Sequence, residues 1–166
     1  MTSKLRIKEL TLFAILGTVL FSLNMARAGL HNIEPVSLLV MVYAVVFGSK
    51  ALWAIYIYIL LECFTWGFNT WTVSYLYIWL ILFLLARLLR NMESPLNWAI
   101  LSGAFGMTFG LLCAPVYLVT GGWAYAVSWW VSGIPYDLLH CGGNFAIALC
   151  LFRPCRRALT SLYQRY

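Results

Sequence analysis

Six apolar runs take up most of this chain: Leu10–Met25, Pro35–Phe47, Ala51–Trp66, Trp71–Leu89, Leu96–Val119 and Pro135–Phe152. A helix needs about 20 apolar residues to cross a bilayer, at about 1.5 Å per residue. Each run therefore reads as a membrane span, and the short second one as a helix that crosses incompletely or is buried by its neighbours. Composition leaves little alternative. Of 166 residues, 63% are hydrophobic and 10% charged, more apolar surface than a soluble domain of this length can bury. The expected fold is an all-α integral membrane protein, a six-transmembrane-helix bundle forming a single domain over residues 1–166.

Charge orients the spans. With six crossings, one side holds Lys4, Arg6, Lys8, Lys50, Arg87, Arg90, Arg153, Arg156, Arg157 and Arg165, and the other holds only Arg27. Fusing the second and third runs would put Lys50 in hydrocarbon and move Arg87 and Arg90 to the far side. The positive-inside rule favours six spans with cytoplasmic N- and C-termini, a multi-pass cell-membrane protein. The net charge of +6 marks topology and does not form a nucleic-acid-binding face. Lys4, Arg6 and Lys8 before the first run imitate a signal peptide, but cleavage would remove a span, so this run reads as a retained helix.

The outer connections, Ala26–Glu34, Gly67–Thr70 and roughly Thr120–Ile134, are rich in rings: Trp66, Phe68, Trp71, Trp123, Tyr125, Trp129, Trp130 and Tyr136, with Tyr75 and Tyr77 just below. An interfacial aromatic belt accounts for part of this. A belt occupies both faces, however, and the inner ends carry fewer rings, so some of the outer ones are expected to line a pocket.

Ionisable groups inside spans are costly and usually face a cavity or a partner. Glu62 lies within the third span. Asp137, His140 and Asn144 share one face of the last, at i, i+3 and i+7. Asp137 and His140 could pair, with Asn144 extending the stripe. Interhelical ties are an equally good reading of this cluster. Pro135 suits a first helical turn. No P-loop, HExxH, GxSxG or CxxC motif is present, so neither catalysis nor ATP hydrolysis is expected of this chain, and neither a metal nor a resident cofactor. The five cysteines read as buried or free thiols. On the first helix, Ala14, Thr18 and Ser22 form a small-residue stripe, suited to packing within the protein or to docking another membrane subunit.

Two segments carry a family resemblance. Ser132-Gly133-Ile134-Pro135-Tyr136-Asp137-Leu138-Leu139-His140-Cys141-Gly142-Gly143-Asn144-Phe145, running into Leu151-Phe152-Arg153-Pro154, resembles the last helix of substrate-binding S components of energy-coupling factor (ECF) vitamin transporters. Asn32-Ile33-Glu34-Pro35-Val36 resembles that family's start of helix two. The resemblance implies capture of a vitamin or related micronutrient from outside. Delivery would go through a transmembrane coupling subunit and two ATPases that use ATP. It implies docking through helix one, where Ala14-x-x-x-Thr18 departs from the family's Ala-x-x-x-Ala. The substrate-binding residues expected on this reading are Asn32, Glu34, Glu62, Trp66, Trp71, Tyr75, Trp129, Trp130, Tyr136, Asp137, His140 and Asn144, and the partner-docking residues are Ala14, Thr18 and Ser22. The wealth of rings favours a planar heterocycle. A tryptophan-rich sensory-type (TspO-like) tetrapyrrole-binding protein, with five spans, is the rival reading, and a small membrane enzyme a more distant one.

Overall fold

A computed structural model describes residues 7–26 and 34–165. Among these residues the chain is helical throughout, without strands: α1 (Ile7–Ala26), α2 (Pro35–Phe47), α3 (Ala51–Trp66), α4 (Thr70–Leu88), α5 (Pro95–Met107) and α6 (Phe109–Gln164). Four helical stretches are long and apolar enough to cross a membrane: Ile7–Ala26, Pro35–Trp66, Thr70–Leu88 and Pro95–Gln164. The second joins α2 to α3 through the 3-10 turn Gly48–Lys50, and the fourth joins α5 to α6.

Two glycines reverse the chain inside these long stretches. Gly48 has φ +63° and Gly122 has φ +77°, in the left-handed region that glycine enters without steric cost. Contacts give the directions. Phe13 meets Phe47, and Tyr43 Oη donates to the Leu16 carbonyl, so α2 runs back along α1. Lys50 Nζ lies 2.5 Å from Glu9, and Asn24 Nδ2 donates to Glu62 at 2.6 Å, so α3 follows α1 in the same direction. Gly17 lets those two helices touch: a Cβ there would sit 2.7 Å from Ile57 and 2.8 Å from the Ala54 carbonyl. This close approach is typical of small residues between helices in lipid.

Gly122 folds α6 into two arms, 109–121 and 123–164. The second arm returns along the first and along α5. Tyr117 stacks on Trp129, Gly110 meets Asp137, Gly106 meets His140, Gly103 meets Phe145, and Trp98 stacks on Phe152. Gly106 permits a close backbone approach, since a Cβ there would lie 2.8 Å from the His140 carbonyl.

The helix after Gly122 corrects two expectations. Residues 123–134 are helical, not a loop, and Pro135 lies inside the helix, not in its first turn. In lipid an interior proline is tolerated where neighbouring helices and local adjustment re-satisfy the freed carbonyl. The ring-rich segment gains more by packing against 109–121 than by forming a loop.

α2 is the central helix, with Val36, Leu38, Val40, Met41, Val42 and Ala44 all at most 2% exposed. That suits its brevity, because its neighbours cover it. Outward-facing positions are instead apolar: Leu84, Leu138 and Leu139 are 55%, 56% and 60% exposed, as a lipid-facing surface would be and a water-facing one would not.

Candidate functional site

The fold gathers the start of α2, the first turns of α4 and both arms of α6 around a cavity of about 370 Å³. Its walls come from the residue preceding α2 (Glu34), the first turns of α4 (Trp71, Tyr75), the start of α6 (Phe109, Gly110) and the stretch from Trp129 to His140. Local sequence explains each placement. Pro35 at the first helical position starts α2 directly after Glu34. Asn69 caps α4, accepting from the Trp71 and Thr72 N–H groups at 2.9 and 3.2 Å, which fixes where Trp71 points. α5 ends at Thr108, so Gly110 lies in the first turn of a new helix, where N–H groups lack intrahelical partners.

Asp137 takes that N–H. Both of its carboxylate oxygens accept from Gly110 N, at 3.1 and 3.2 Å, and a negative charge at a helix N-terminus is favoured by the local dipole. The expected Asp137–His140 pair is not what forms. His140 Nε2 instead lies 2.8 Å from Glu34 Oε2, with the carboxylate side chain only 1% exposed. The His140 ring also packs on Phe109, centroids 5.1 Å apart. Asn144, one turn deeper, donates to Ser37 Oγ at 3.2 Å. The polar stripe of the last helix thus reaches across to α2 and to the start of α6, and is not satisfied within itself.

The aromatic wall comes from two groups of packed rings. Trp129 stacks on Tyr117 at 4.0 Å with rings 17° from parallel, and meets Trp71 edge-on at 5.9 Å. Tyr75 reaches Trp79 and Phe109 at 5.5 and 6.5 Å. The cavity therefore combines flat apolar surfaces with two carboxylates and an imidazole at its base. This pattern suits a ring-bearing ligand held by a few polar contacts. Ser132 also lines it, and its hydroxyl donates to the Trp129 carbonyl at 2.9 Å.

Of the residues expected at the site, Glu34, Trp71, Tyr75, Trp129, Tyr136, Asp137 and His140 share this cavity. Glu62 and Trp66 border a neighbouring one of about 390 Å³, together with Trp71 and Tyr75. Glu62 receives its donor from Asn24 of α1, a residue sequence reading passed over. Asn144 is 1% exposed and ties α6 to α2. Trp130 is half-buried and does not line the cavity. Asn32 lies outside the described residues. Phe109, Gly110, Ser132 and Gly133 also line the cavity but were not anticipated; only a Gly in mid-span hinted at a close approach by another group. Ala14, Thr18 and Ser22 lie together in a shallow groove of about 450 Å³ on the outer side of α1, with Ile15, Val19 and Leu23. The described residues contain no cluster of three or more His, Cys, Asp or Glu that could hold a metal ion.

No protein-family model, curated protein or solved structure matches the chain.

Proposed function

We propose that this chain is the substrate-binding S component of an ECF-type importer. In this reading it captures a vitamin or related micronutrient, a planar heterocycle, from outside the cell. It then delivers the nutrient through a transmembrane coupling subunit and two ATPase subunits, which use the ATP. The observation that carries the reading is the cavity in which Trp71, Tyr75 and Trp129 face Glu34, Asp137 and His140.

Three further observations support it. The chain reverses at Gly48 and Gly122 and the helices alternate in direction, which agrees with six crossings and both termini on one side. Arg87 and Arg153 sit at the end opposite the cavity, against Ala44 and Glu93 respectively, which agrees with a cytoplasmic basic end. The small-residue groove of Ala14, Thr18 and Ser22 faces outward, where a coupling subunit could reach it.

Native mass spectrometry of the purified protein is the direct test, with a retained small heterocycle as the expected result. Cells making the chain together with a coupling subunit and ATPases should accumulate that compound. An empty protein and no uptake across a broad vitamin panel would overturn the proposal.

A further inference from the structure

The C-terminal part of α6 carries a second concave surface, far from the aromatic cavity. Arg153, Arg156, Arg157, Thr160, Ser161 and Gln164 follow the spacing i, i+3, i+4, i+7, i+8 and i+11, one face of a helix. They line a cavity of about 570 Å³ together with Glu93. All six side chains can donate hydrogen bonds. A neighbouring face of this helix is packed: Phe152 stacks on Trp98 at 4.3 Å, and Tyr163 packs edge-on against Phe47 at 5.0 Å. Arg153, Arg157, Ser161 and Gln164 are exposed.

The guanidinium groups are largely uncommitted. Arg153 Nη2 reaches the Glu93 carbonyl at 3.5 Å. Among the described residues, Arg156 and Arg157 form no hydrogen bond or ion pair. Glu93 also borders the cavity, but its side chain is exposed and is outnumbered by three cations.

We propose that this surface binds the phosphate headgroup of an anionic phospholipid. Position selects the ligand. The last apolar run ends at Phe152 and the arginines follow at once. The 123–164 arm is roughly 60 Å long at about 1.5 Å per residue, twice the ~30 Å of hydrocarbon it has to cross. The cations thus fall at the depth where hydrocarbon gives way to headgroups. Leu149, one turn before Arg153 and on the same face, is 41% exposed, leaving apolar surface for an acyl chain beside the arginines. Guanidinium forks match phosphate oxygens in pairs, which ammonium groups do not. A basic pocket at the end of a helix bundle, with an exposed leucine one turn away on the same face, has the chemistry of a lipid phosphodiester site.

The test uses the full chain in mixed micelles of phosphatidylglycerol and phosphatidylcholine, read by native mass spectrometry. Phosphatidylglycerol should be retained preferentially. The R153Q/R156Q/R157Q variant should lose that preference by on the order of 100-fold, from about fivefold per arginine. The triple lysine variant should restore part of it. R90Q, at the same end but outside the cavity, should leave it unchanged. Matching circular dichroism and melting curves confirm that each variant is folded. Equal retention of both lipids, or retention indifferent to the triple variant, would overturn the proposal. Glycerol 1-phosphate competing as well as the intact lipid would replace it with a site for soluble phosphate esters. A glutamine variant that keeps its lipid but no longer assembles with a coupling subunit would replace it with a protein-docking surface. None of these outcomes depends on whether the aromatic cavity takes a vitamin.

Discussion

Glu34 Oε2 lies 2.8 Å from Nε2 of His140, across 106 residues of sequence. The contact pins the start of α2 to the middle of the last helix at the base of the aromatic cavity. Asn144 to Ser37 repeats the link one turn deeper. Buried hydrogen bonds to charged groups carry about 1.5–3 kcal/mol each. H140A should therefore destabilise the detergent-solubilised protein by roughly 1–3 kcal/mol, measured by thermal unfolding. Combined with E34Q, the loss should fall short of the sum by about 0.5 kcal/mol or more, since the two residues share one interaction. Strict additivity would show that the pair is not coupled.

Gly110 and Asp137 make a second prediction. A Cβ at position 110 would lie 2.5 Å from Asp137 Oδ2. G110A should cost about 1–3 kcal/mol, the usual penalty for forcing an extra carbon into a packed site. D137A removes the obstructing oxygens, so G110A should cost less in that background. An equal cost in both backgrounds would place the strain elsewhere.

The ring wall can be dissected by ligand affinity. Trp71 and Trp129 line the cavity, whereas Trp130, next in sequence, does not. On the proposed function, W71A and W129A should each weaken heterocycle binding by about 1–3 kcal/mol, which is roughly five- to 150-fold. W130A should stay within about twofold. Titration of intrinsic tryptophan fluorescence reads all three. Equal loss in the three variants would mean that the rings act as an interfacial belt and not as a binding wall.

Positions 17 and 18 separate packing from docking on α1. Gly17 faces Ile57 and the Ala54 carbonyl, while Thr18 is exposed in the outer groove. G17V should lower the melting temperature of the isolated protein, through overpacking of about 1–3 kcal/mol. T18W should leave it nearly unchanged yet, on the proposed function, reduce co-purification with a coupling subunit. Normal assembly of T18W would remove the groove from the docking surface.

Gly122 is the remaining test. At φ +77°, any residue with a Cβ is strained by about 1–2 kcal/mol. G122A should destabilise the hairpin between 109–121 and 123–164 by that amount, and hydrogen exchange around Tyr117 and Trp129 should quicken locally. Unchanged exchange there would show that the turn tolerates a side chain.

Much of the helix placement was legible in the sequence. The apolar runs match the helices closely for Pro35–Phe47 and Ala51–Trp66, because hydropathy and the capping residues at their ends act locally. Glu34, Trp71, Tyr75, Trp129, Tyr136, Asp137 and His140 could be picked out because polar groups and rings near span ends stand out against a lipid-like background. The loop expected over 120–134 and the proline expected to start a helix were misread. Those readings weighed local turn signals, and the packing of Trp129 on Tyr117 outweighed them.

The sequence alone determined that this chain is helical, with helices apolar enough to cross a membrane, since its long apolar runs admit little else. Tertiary structure decided who partners whom. His140 turned to Glu34 and not to Asp137, Asp137 to the Gly110 backbone, and Glu62 to Asn24. These pairings join residues far apart in the chain, and periodicity along one helix does not encode which face of another helix will meet it. Close approach at Gly17, Gly106 and Gly110 set those meetings. The absence of a side chain there lets backbones touch, and so fixes the rotation of each helix about its axis.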